Sequence, residues 1–254
     1  MIISPFNPVF FALIGTIAAI VIGSYFIFRK ASEKTKTIFI LSLCAFNFIL
    51  YIVYKVTLPF DEEYVAMSDT ANPIFDALPL HLCNINLFLI PIAVLTKNKY
   101  IAGFSFFVAP LAAIMPMIFP EPEFTGFSLT LMRMAGYYYT HALIIICGLC
   151  LCTLGFFRPT FKVVPGTLVT FVLLSIAIHG VNTLLRLTGI YPDANYFFTY
   201  DAGGVSALMI FREIIDLPYL YELPAIPILA VYMVLICSIT AIVDKIKKSK
   251  QTSR

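Results

Sequence analysis

Tryptophan is absent, histidine occurs only three times, and charged residues make up 12% of the 254-residue chain. So little charge excludes a soluble globular domain: 60% of the residues are hydrophobic and the mean hydropathy is +0.93. Without tryptophan, an interfacial aromatic belt has to come from tyrosines such as Tyr191, Tyr196, Tyr200, Tyr219 and Tyr221. No basic residue precedes the first apolar run and no small-residue cleavage site follows it, so a retained first helix is expected, not a signal peptide. Low-complexity tracts and internal repeats are also missing, which weighs against an inverted-repeat transporter. No lysine lies between Pro218 and Val243, which excludes a retinal Schiff base there. The connections between apolar runs are too short for a soluble domain or for extensive receptor coupling.

What is present is a series of apolar runs. About 20 such residues cross a bilayer core, and the pattern predicts seven helices at roughly 8–28, 37–59, 79–96, 100–119, 130–157, 163–187 and 218–243. The fold class expected is therefore all-α, with residues 1–254 forming a single transmembrane helical domain. Most of the 17 basic residues fall on one side of a seven-helix arrangement, at Arg29 to Lys36, Lys97 and Lys99, Arg158 and Lys162, and the tail from Lys245. The positive-inside rule then predicts an outside N-terminus, a cytoplasmic C-terminus and residence in the cell membrane. The net charge of +3 carries no nucleic-acid signal, and the basic tail reads as an orientation signal touching lipid headgroups. All six cysteines fall within apolar runs, where small polarizable packing is expected of them and a disulfide framework is not. Prolines at 91, 110 and 116 are expected to kink the third and fourth helices, and residues 205–215 to form a short amphipathic helix or a re-entrant stretch.

Polar side chains that persist in hydrocarbon usually mark a site. The three histidines, His81, His141 and His179, all lie in predicted spans, in L-H-L-C-N-I-N, Y-Y-Y-T-H and H-G-V-N-T-L-L-R. Arg133, Tyr137 and His141 share one face at spacings of four, and His179, Asn182 and Arg186 share another. Glu222 opens the last helix. The inner half of the bundle is almost bare of polar residues, so a pocket opening outward is expected, not a pore. Cys83 is the candidate nucleophile, since a helix N-terminus favours thiolate. An imidazole from another helix, His141 or His179, would serve as its base. His81 points elsewhere on an ideal helix, while Asn84, Asn86, Asn182 and Arg186 could orient the imidazole or hold an oxyanion or phosphate.

Three short motifs carry a family resemblance: His81-Leu82-Cys83-Asn84, Thr140-His141, and Asn195-Tyr196 followed by Pro218-Tyr219. With them the chain resembles the YwaF-like family of bacterial integral membrane proteins, distantly related to a eukaryotic transmembrane phospholipid acyltransferase. The resemblance implies seven helices, Cys83 as acyl acceptor, His141 as catalytic histidine, and Asn195 and Tyr196 as supporting residues. Membrane lipids would be the substrates, with no cofactor and no metal. Arg133 and Arg186 would hold the lipid phosphate. Two other readings stay open: a zinc-dependent membrane hydrolase with a three-histidine site, and a small-solute or lipid transporter without catalysis.

Overall fold

The computed structural model describes residues 1–67, 75, 77–203 and 205–252. The chain divides into two compact units, Met1–Phe157 and Arg158–Arg254. It is an all-α polytopic membrane protein. Six helical stretches are long and apolar enough to cross a bilayer: Pro8–Phe28, Glu33–Phe60, Lys99–Ile118, Met132–Thr153, Phe161–Leu187 and Leu220–Lys247.

In the first unit, α1 (Pro8–Phe28) starts where Asn7 Oδ1 accepts the Phe10 amide and Pro8 occupies the first helical position. Ser32 caps α2 (Glu33–Thr57) in the same way through the Thr35 amide. A short helix, α3 (Glu62–Met67), follows. Next come α4 (Asn86–Thr96) and α5 (Lys99–Ile118), joined by a two-residue turn. Lys97 takes a left-handed backbone in that turn (φ 55°), and Asn98 caps α5 through the amides of Tyr100 and Ile101. The last helix of the unit, α6 (Met132–Thr153), is its hub and packs against α1, α2 and α5. Within its apolar window 72% is buried, against 28% for α1 and for α2, whose exposed phenylalanines and isoleucines suit contact with lipid.

Two glycines set the closest approaches of α6. A Cβ at Gly136 would lie 2.3 Å from Tyr54 Cγ of α2, and one at Gly148 would meet the Ser105 carbonyl of α5 at 3.0 Å. The chain start is tied in as well. The two-residue strands β1 (Ile2–Ile3) and β2 (Phe127–Ser128) pair antiparallel, Ile2 opposite Ser128.

The third expected span requires a correction. Helix α4 begins at Asn86, not at Pro79, and its 11 residues rise about 16 Å, half a crossing. Ahead of it, residues 81–85 form hydrogen-bonded turns, such as the Ile85 amide to the His81 carbonyl at 3.0 Å. Asn86 adds a side-chain bond to the Leu82 carbonyl at 3.0 Å, a local alternative to regular helix that asparagine readily offers.

In the second unit, α7 (Val164–Leu187) packs against α9 (Ala225–Thr252), and Arg158 pairs with Asp244. The expected amphipathic stretch is helix α8 (Ser206–Ile214), with Met209, Ile210 and Ile214 exposed. The tyrosine-belt expectation holds poorly here. Tyr196 and Tyr221 are buried, and Tyr200 and Tyr219 pack on a histidine.

Candidate functional site

Rise per residue sets the depth of the first cluster. The 20 residues of α5 span about 30 Å, and α4, joined to it by the Lys97–Asn98 turn, returns only about 16 Å of that. The turns carrying Cys83 and Asn84 therefore occupy the remaining half of the membrane thickness. Irregular backbone at such depth persists only where protein or a polar cavity surrounds it. His141 lies nine residues into α6, about 14 Å from its start.

Polar side chains of α2 gather around both Cys83 and His141. Cys83 is half-buried, and its thiol donates to Asn84 Oδ1 at 3.6 Å. Asn84 is buried and reaches the Tyr51 hydroxyl at 3.5 Å, and Tyr51 in turn donates to the Ala77 carbonyl. Lys55 of α2 lies within electrostatic reach of both Cys83 and His141, and its ammonium sits 5.3 Å from the Tyr54 ring centre. Cys83 is likewise in reach of Tyr54 and Tyr137. Asn47 donates to the carbonyl of Thr140, next to His141, while its own amide oxygen and that of Asn86 are buried without partners. Cys83 and His141 are not hydrogen-bonded to each other in this resting arrangement.

His141 has a defined tautomer. Its Nδ1 lies 2.7 Å from the Tyr137 carbonyl, which can only accept, so Nδ1 carries the hydrogen. The neutral ring then offers the Nε2 lone pair, the form of a general base. Tyr137 holds the ring from one side at 4.7 Å and is itself stacked on Phe124 at 4.2 Å. The Tyr137 hydroxyl donates to the Pro116 carbonyl at 2.7 Å. That carbonyl needs such a donor, because the residue four places on is Pro120, which has no N–H.

Arg133 is built into the architecture of the first unit. It is only 2% exposed, and its guanidinium donates to Asp61 and Glu63 at 2.6 Å each and to the Glu123 carbonyl at 3.1 Å, over the Phe127 ring. Burial would raise the Asp61 pKa, but the amides of Tyr64 and Glu63 and the Arg133 charge outweigh it and hold the carboxyl below its usual range. A cleft of about 260 Å³ opens beside this triad, lined by Thr57, Leu58, Phe60, Asp61, Met132 and Arg133. Neither Cys83 nor His141 lines it. His81, half-buried in the turns before α4, belongs to this unit too.

The remaining predicted residues, His179, Asn182, Arg186, Asn195 and Tyr196, lie in the second unit, and there they do come together. Buried Asn182 binds both the amide and the carbonyl of Tyr196 and donates to Thr199 Oγ1 at 2.9 Å. Asn195 closes the same loop through the amides of Tyr200 and Asp201. Phe197 and Phe198 both hold positive φ, 60° and 61°, a strained geometry for aromatic residues that this network enforces. The Thr199 hydroxyl accepts from Asn182 and is also hydrogen-bonded to His179 Nδ1, 3.0 Å away. The His179 ring packs between Tyr200 (4.8 Å) and Tyr219 (5.0 Å). Arg186 donates through Nε to the Ala194 carbonyl and lies over Tyr200, while its terminal nitrogens have no protein partner among the described residues.

Sequence reasoning missed Asn47, Tyr51, Tyr54 and Lys55. Their spacing of four, three and one was the available signal, a polar stripe on one face of an otherwise apolar helix. Within neither unit, among the described residues, do three histidine, cysteine or acidic side chains gather as metal ligands. The model of the TMEM164 family matches residues 3–244. No curated protein and no solved structure matches the chain.

Proposed function

This chain belongs to the TMEM164 family, a family of transmembrane proteins, and on that premise we propose that it is a lipid acyltransferase, or acyl hydrolase, of the membrane interior. Cys83 is the nucleophile and His141 its base. The observation that supports the reading is the tautomer of His141: the Tyr137 carbonyl holds the hydrogen on Nδ1 and leaves the Nε2 lone pair free to accept a proton. The H-L-C-N motif and its resemblance to YwaF-like proteins support the same pair.

The reaction proceeds in two halves. His141 Nε2 takes the Cys83 proton, and the thiolate attacks the carbonyl carbon of a lipid ester. Collapse of the tetrahedral intermediate breaks the ester C–O bond, and the glycerol oxygen leaves with the proton returned by His141. A second lipid hydroxyl, or water, then gives its proton to His141 and attacks the thioester, and the sulfur recovers that proton on leaving. Burial pushes the Cys83 thiol up, to about 11, and the Lys55 charge offsets only part of that, so the proton has to move to His141 as the thiol attacks. Because the resting thiol donates to Asn84, lipid entry has to release it toward His141.

The test is to incubate purified full-length protein with mixed phospholipid vesicles and search the Cys83 peptide for an acyl adduct by mass spectrometry. The adduct should be cleaved by neutral hydroxylamine and be absent from Cys83→Ser. His141→Gln should slow its formation by about 100-fold or more, the usual contribution of a positioned base. Lipid turnover that persists in Cys83→Ala, with no adduct in the wild type, would end the proposal.

A further inference from the structure

In the second unit a carboxylate with a buried oxygen, Glu222, has no counter-ion among the described residues. Glu222 closes the single turn Leu220–Glu222 that leads into α9. Its Oε2 accepts from Ser175 Oγ at 3.3 Å, while Oε1 is buried and has no partner among the described residues. No lysine, arginine or histidine among the described residues pairs with it. Arg212, over the Tyr221 ring, is engaged by Asp216 at 3.1 Å and by the Tyr200 carbonyl at 2.6 Å. An acidic side chain in a membrane-spanning segment is costly unless it is paired, so it points to a site.

The surroundings define what would fit. Glu222, Ser175 and Tyr219 line a crevice of about 10 Å³ walled by Phe171, Val172 and Leu223, room for one water-sized group. The Tyr219 hydroxyl is within hydrogen-bonding reach of Ser175. Three oxygens, from a carboxylate, a serine and a tyrosine, therefore face one small volume. Tyr219 is held there by a constrained backbone: its φ is 65°, its amide donates to the Thr199 carbonyl at 2.6 Å, and its ring packs on His179. A tyrosine at positive φ costs about 1–3 kcal/mol and persists only where neighbours enforce it.

We infer that Glu222, Ser175 and Tyr219 form a binding site for a compact monovalent cation, either Na⁺ or a primary ammonium group. Three acceptors match the three hydrogens of an ammonium, and the same three oxygens would ligate Na⁺. The crevice is too small for a quaternary ammonium. The site lies wholly in the second unit and does not rest on the acyl-transfer reading.

The experiment uses full-length protein in detergent and follows its thermal unfolding midpoint in NaCl, ethanolammonium chloride and tetramethylammonium chloride at equal ionic strength. A saturable rise with Na⁺, with ethanolammonium or with both, and none with tetramethylammonium, supports the site and identifies its occupant. Glu222→Gln keeps the bond from Ser175 and should abolish the response. Should that variant fail to fold, Ser175→Ala decides instead, with half-saturation expected about tenfold higher. Equal midpoints in all three salts, or a response unchanged by the substitutions, would overturn the inference.

Discussion

The ion triad at Arg133 allows a graded prediction. The Arg133 side chain is 1% exposed, Asp61 24% and Glu63 53%, so the three members differ in how much solvent can replace a lost partner. Removing the guanidinium strands two carboxylates against a buried arginine slot and deletes the bond to the Glu123 carbonyl. Arg133→Met should therefore cost about 3 kcal/mol, equivalent to roughly 6–12 °C in midpoint for a unit of this size. Asp61→Asn keeps an acceptor for the Tyr64 amide and loses only the charge, so about 2 kcal/mol is expected. Glu63→Gln, at a largely exposed position, should cost at most about 1 kcal/mol. Acidification provides a second reading of the same triad. The Asp61 pKa is depressed in the folded chain, so its contribution is complete above the unfolded value of about 3.9 and is lost as pH falls through the lower folded value. Thermal unfolding of the wild type and three variants, at neutral pH and down to about pH 3, checks both claims. The difference between wild type and Asp61→Asn should close only below about pH 4. A Glu63→Gln variant less stable than Arg133→Met, or a gap that closes near neutrality, would refute the reasoning.

Other perturbations test the packing around each cluster. Gly136→Ala places a methyl against the Tyr54 ring and should lower the midpoint by the equivalent of about 1–3 kcal/mol, with Gly15→Ala, where nothing lies within 4 Å, as the neutral control. Tyr137→Phe leaves the Pro116 carbonyl without a donor and should cost about 1–2 kcal/mol in the same unfolding assay. Asn182→Leu removes three hydrogen bonds that fix residues 196–199, and amide hydrogen exchange at Tyr196 should accelerate by at least about tenfold.

The long spans were legible because length and apolarity decide them: the first was expected at 8–28 and is observed as Pro8–Phe28. The sixth and seventh differ from expectation only by a few residues at their ends. The third failed for a local reason. Pro79, His81, Asn84 and Asn86 interrupt an apolar run, and hydropathy averaged over the window cannot register asparagines bonding to nearby backbone and tyrosine groups. The partners of Arg133 were hidden by distance along the chain, 72 residues to Asp61 and 70 to Glu63, although the acidic D-E-E sequence was conspicuous. In the second unit the stripe of His179, Asn182 and Arg186 was readable from helical spacing. The strained loop that it clamps was not, since nothing in F-F-T-Y announces two aromatic residues at positive φ.

The shortness of α4 bears on how the chain is made. An 11-residue apolar helix is a poor substrate for insertion on its own, and the tight Lys97–Asn98 reversal couples it to a 20-residue successor with a full apolar length. The two are therefore expected to enter the bilayer as one hairpin, once α5 has left the ribosome. The cysteine-bearing turns thus reach hydrocarbon depth late, as passengers of their neighbour. Lengthening the Lys97–Asn98 link would uncouple that delivery and strand the H-L-C-N segment at the aqueous boundary, even though every residue of the segment itself remained intact.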